Sequence, residues 1–120
     1  MKTTDKHNER MASITFATVY PLYVEKVQRK GRTLDELHQV IEWLTGFVPN
    51  DLQKLMEENV TFKTFFERAT LNPKAELIKG TICGYQIEEI DNPLTKNVRC
   101  LDKLIDELAQ GKKLDRILSQ

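Results

Sequence analysis

The chain is poor in the residues that usually carry chemistry. Two histidines, two cysteines and one tryptophan are spread over 120 residues. The five glycines are scattered, so there is no glycine-rich loop to cradle a phosphate. Metal-ligand spacing is missing as well: His38 and Glu42 stand at i, i+4, which is one pair without further ligands nearby. The expectation is therefore no metal and no cofactor. No apolar run approaches the length of a bilayer, and the opening MKTTDKHNER is charged with no apolar signal region behind it. That reading expects a cytoplasmic protein without a membrane partner. There is no tract rich in Gly, Pro or Ser to act as a linker, so residues 1–120 read as one domain, with 1–12 expected as a flexible N-terminal segment.

What is present is the composition of a globule: 40% hydrophobic and 30% charged residues, with formal charge balanced at zero. The charge is unevenly spread. Residues 1–33 hold seven bases and three acids (+4), residues 34–91 five and eleven (−6), and residues 92–120 six and four (+2). A basic–acidic–basic order suits internal attraction or self-association better than dedicated nucleic-acid binding, which needs an excess of base.

Helix punctuation recurs along the chain. Phe16, Tyr20, Tyr23, Val24 and Val27 share a helix face, with Thr18 the expected cap, Pro21 in the first turn and Gly31 the stop. Thr33 and Glu36 form a capping box ahead of the stripe Leu34, Leu37, Val40, Ile41 and Leu44, which Gly46 ends. Asn50 or Asp51 is expected to cap a short helix ending at Asn59, and Thr61 the one carrying Phe62, Phe65 and Phe66. Asn72-Pro73 and Asn92-Pro93 each place a cap before a proline at the first helical position, with Gly80 and Gly111 as stops. A last short helix carries Leu114, Ile117 and Leu118. The prediction is an all-α, single-domain bundle of six to eight helices, several of them short.

The stretch TICGYQIEEIDNP, residues 81–93, fits least well. It is read as a joint of one or two helical turns, Ile87 and Ile90 inward and Glu88 and Glu89 outward; a short strand is the other reading, and it requires a partner.

The phrases TFATVYPLYVEKVQRKGRT, VIEWLTGF, ATLNPKAELIKGTICGYQIEEIDNP and LDKLIDELAQGKK resemble a small bacterial family, domain of unknown function 2200, over nearly the whole chain. The resemblance implies a stand-alone bacterial cytoplasmic protein and brings no activity or catalytic residue.

Several constellations remain. Cys83 beside Gly84 has the form of a nucleophile, but His7 and His38 are remote in sequence, so Cys83 and Cys100 are both read as buried, reduced thiols. Glu88, Glu89 and Asp91 are read as solvated acids, because adjacent carboxylates on a helix diverge. Lys26, Arg29, Lys30 and Arg32 form the densest basic cluster, at a helix C-terminus where the dipole favours cations without any ligand. Trp43 falls off its helix's stripe, on the side of Glu36 and Gln39, and packs on a second helix or meets a partner. Lys26, Arg29, Lys30, Arg32 and Trp43 are the expected partner surface of a non-catalytic module that binds protein or itself. A nucleic-acid-associated regulator using the basic cluster is the alternative, and a thiol-dependent enzyme centred on Cys83 is a third.

Overall fold

Side chains of Thr, Asn and Asp set most of the helix starts. The computed structural model describes residues 3–118. Among them the chain forms α1 (Asp5–Ser13), α2 (Phe16–Arg29), α3 (Leu34–Thr45), α4 (Pro49–Glu57) and α5 (Phe62–Arg68). After a 3₁₀ turn at Pro73–Leu77 come two two-residue strands, β1 (Thr81–Ile82) and β2 (Tyr85–Gln86), and a second 3₁₀ turn at Ile87–Glu89. The long α6 (Pro93–Ala109) and the short α7 (Leu114–Ile117) complete an all-α domain. None of these helices is long and apolar enough to cross a membrane.

The capping box before α3 is formed on both sides: Thr33 accepts from the Glu36 amide, and Glu36 accepts from the Thr33 amide. Thr61 and Asn92 cap α5 and α6 as their sequences predict. Two starts differ from prediction. Thr15, not Thr18, caps α2, so Pro21 sits at the sixth helical position and the bond back toward Ala17 is forfeited there. Before α4, Pro49 opens the helix and Asp51 reaches back to the Val48 amide at 3.0 Å, where Asn50 or Asp51 was expected as the cap. Asn72 does accept from Lys74, but the turn it opens is 3₁₀ and ends at Leu77, short of the predicted stop at Gly80.

α6 is the central post: α1, α2, α3, α5, α7 and the 80s segment all pack on it. Its Val98, Leu101, Leu104, Ile105 and Leu108 are buried against Leu37, Ile41 and Leu44 of α3 and Val27 of α2. Leu34, the first residue of the expected α3 stripe, is 40% exposed instead. At the other end of the core, Phe16 stacks on Phe65 with ring centroids 4.5 Å apart and meets Phe62 edge-on. A single antiparallel bridge fixes that end, with the Phe16 amide donating to Val60 and the Phe62 amide to Ile14.

Near the N-terminus, Asp5–Ser13 form α1. The helix is tied to the start of α6 through Asn8, whose Oδ1 accepts from Thr3 Oγ1 at 2.6 Å and from the buried Thr95 Oγ1 at 2.7 Å.

The 81–90 segment corrects the sequence reading. It is a hairpin, with Thr81 opposite Gln86 and Ile82 opposite Tyr85, so the strand's partner lies inside the same stretch. The loop is Cys83-Gly84, both at positive φ (51° and 82°), as the tightest two-residue hairpins require. The following 3₁₀ turn does bury Ile87 and Ile90 and leaves Glu88 and Glu89 exposed.

Candidate functional site

Lys26, Arg29 and Lys30 come together, because α2 carries them along one edge of a groove against α6. Leu22 and Glu25 extend that edge, and Asp106, Ala109 and Gln110 form the other; the groove measures about 740 Å³. Its cations are not bare. Lys26 pairs with Asp106 across the groove at 3.0 Å, and Arg29 pairs with Glu25 one turn earlier on its own helix. Leu22 is the apolar element, 61% exposed.

Arg32 is turned away from this group. Its side chain is largely buried, bonded to Glu36 at 2.6 Å and donating to the carbonyls of Leu108 (3.2 Å) and Lys112 (2.9 Å). It satisfies carbonyls at the C-terminal end of α6 and serves the fold. The expectation of an exposed Arg32 is corrected accordingly. Trp43 does not line the groove. It packs on the core as a half-buried side chain, and its carbonyl accepts from Asn72 Nδ2 at 3.3 Å.

The structure also gathers a cluster that sequence spacing conceals. Cys83 is exposed at the hairpin tip, not buried as expected, because a two-residue loop points its central side chains away from the sheet. Two residues on, Tyr85 stacks on His7 of α1 with centroids 5.4 Å apart. The Arg99 guanidinium lies 4.9 Å from the centroid of the same ring. Arg99 donates to Asp102 at 3.0 Å, and Asp102 accepts from the buried Tyr23 hydroxyl at 2.7 Å. Burial, with Asp102 beside it, holds the Tyr23 phenol well above its usual range. His7 is thus near the Cys83 turn through folding alone; the one local hint is Tyr85, an aromatic residue flanking that turn.

The remaining candidates have local roles. Glu88 accepts from the Gly80 amide at 2.9 Å, which lowers its pKa and braces the start of the hairpin. Asp91 accepts a long bond from the Thr3 amide at 3.4 Å. His38 shares a short hydrogen bond with the Tyr20 hydroxyl, linking α3 to α2. Cys100 is buried on α6, and burial pushes its thiol to about 11. Among the described residues, no three His, Cys, Asp or Glu side chains are placed to hold a metal ion.

Comparison with known proteins places the chain. The family described as "Uncharacterized protein conserved in bacteria (DUF2200)" matches residues 10–119. The chain belongs to this family. The crystal structure of uncharacterized protein SP1917 superposes with a TM-score of 0.86 at 41% identity, covering 92% of both chains. No curated protein matches the sequence. The DUF2200 membership agrees with the family that the quoted phrases resemble and carries no activity with it.

Proposed function

We propose that this protein is a cytoplasmic, non-catalytic module that binds another protein in the α2–α6 groove. One observation carries the reading: an exposed leucine, Leu22, sits in a concave surface whose charged lining is Lys26, Arg29, Lys30, Glu25 and Asp106. An apolar anchor point ringed by charge is how protein interfaces are built. The fitting occupant is a segment with an apolar side chain for Leu22 and acidic flanks for Arg29 and Lys30. Nucleic acid is less favoured, because Lys26 and Arg32 already hold carboxylate partners within the fold, which leaves too few cations for a run of phosphates.

The test compares the parent with a Leu22→Asp/Arg29→Glu/Lys30→Glu variant that leaves Lys26 and Arg32 in their cross-helix contacts. Proteins captured from a bacterial lysate are identified by mass spectrometry, and the purified pair is then measured across a salt series. Loss of that pair in the variant, with salt weakening the parent's binding, supports the reading. Equal binding by both proteins overturns it. Self-association is a second reading, motivated by the acidic residues 34–91 between basic ends. Sedimentation velocity of the same two proteins decides it.

A further inference from the structure

His7, Tyr85 and Arg99 join three parts of the fold: α1, the hairpin and α6. His7 Nε2 and Arg99 Nε are both buried and meet no hydrogen-bond partner among the described residues. The charged groups around the imidazole are mostly of one sign. Arg10 acts on it from its own helix and Arg99 from α6, while the hairpin offers the neutral phenol of Tyr85. The carboxylate of this network, Asp102, is already engaged by Arg99 and Tyr23. On α5, Lys63 and Glu67 share a groove with Asn8, Glu9 and Ala12, which His7 does not line. Asp91 is taken up with the Thr3 amide.

We propose that the His7–Tyr85–Arg99 stack is an acid-sensitive latch, and that a proton on His7 releases α1 and the 81–86 hairpin from α6 while the α2–α3–α6 core stays folded. The proton brings a second cation beside Arg99 and Arg10 and creates a buried N–H donor without an acceptor. The Tyr85 ring compensates little, because one cation already uses it. Consistently, burial first, then Arg99 and Arg10, hold the imidazole below its ordinary pKa of 6.5. The sign follows from that direction. Above 6.5 the latch is closed at no cost; as pH falls below 6.5 the open form takes up the proton first, favouring opening by about tenfold per pH unit until the closed form protonates too. Opening removes the α1 wall, Asn8, Glu9 and Ala12, from the surface groove that also contains Phe66, Pro93 and Leu94. This inference is independent of the α2–α6 groove.

The experiment is amide hydrogen exchange of the full chain at pH 7.5 and 5.5, corrected for intrinsic exchange chemistry. The expected result is a selective loss of protection at pH 5.5 in α1 and residues 81–86, with α3 and the second half of α6 unchanged. In His7→Phe, which keeps a stacking ring without a titrating nitrogen, that selective drop disappears. No drop, a uniform drop, or the same drop in His7→Phe overturns the proposal. Should His7→Phe fail to fold, an NMR titration of the parent's His7 ring decides: a midpoint below 6.5 supports the latch, and one at or above 6.5 overturns it.

Discussion

The Tyr23 hydroxyl donates to Asp102 Oδ1 at 2.7 Å, joining α2 to α6 across 79 positions of sequence. Because Asp102 also holds Arg99, the two members of the pair are not equivalent. Tyr23→Phe removes one donor and leaves the carboxylate paired, so it should cost about 1–2 kcal/mol. Asp102→Ala strands a buried hydroxyl and a guanidinium together and should cost distinctly more. Urea unfolding of both variants checks the order. Equal costs would show that the hydroxyl, not the carboxylate, organises the site.

Arg32 yields a prediction about charge and shape. Arg32→Lys keeps the charge but loses the fork that spans Glu36, Leu108 and Lys112, and should destabilise by about 1–2 kcal/mol. The same contact sets a pH dependence. The Arg32 guanidinium, then the Thr33 amide, lower the Glu36 pKa below its ordinary 4.5. Its contribution is therefore complete above pH 4.5 and lost as pH falls through the folded-state value. Thermal melts of the parent and Glu36→Gln between pH 3 and 7 should converge at the acid end.

Gly46 and Gly31 both have left-handed backbones, with φ of 75° and 80°, yet their surroundings differ. A Cβ on Gly46 would meet the Thr70 carbonyl oxygen at 3.0 Å, whereas one on Gly31 meets nothing within 4 Å. Gly31→Ala should cost about 1 kcal/mol from backbone strain alone, and Gly46→Ala more, by the steric excess. Denaturant midpoints measured side by side give that excess directly.

The two thiols should behave differently. Cys83 is exposed, and Cys100 is buried with its thiol pushed to about 11. One thiol should therefore react promptly with an aromatic disulfide reagent in the native protein and the second only on unfolding. A higher reactivity of Cys83 would thus follow from exposure and would not by itself indicate a thiol enzyme. Cys83→Asn should be neutral or stabilising by a few tenths of a kcal/mol, because asparagine tolerates the positive φ that a two-residue hairpin demands. A large loss of stability in Cys83→Asn would mean that the thiol makes a contact the fold needs.

The sequence is most legible where the determining residues are neighbours. Thr33 with Glu36, and Asn92 with Pro93, specify α3 and α6 within a single turn. Thr15 and Thr18 were harder to separate, since both are threonines three apart and their hydroxyls share a hydrogen bond at 2.7 Å. The hairpin is too short to show alternation, and its loop is Cys-Gly in place of the familiar Asn-Gly. Arg32 reads as one more surface cation because the carbonyls that draw it inward lie as far as 80 positions away. The His7–Tyr85 contact is illegible for the same reason: beyond an aromatic residue beside the turn, nothing local in either segment reports the other.

The position of α6 has a consequence for how the chain is made. Synthesis proceeds at about 5–20 residues per second, so residues 1–92 take on the order of ten seconds to appear. Throughout that interval the helix on which α1, α2, α3 and α5 close has not been translated. The apolar faces of Phe16, Leu37, Ile41 and Phe65 leave the ribosome before their central support exists. A nascent chain of this protein therefore carries unpaired apolar faces until Pro93–Ala109 emerges.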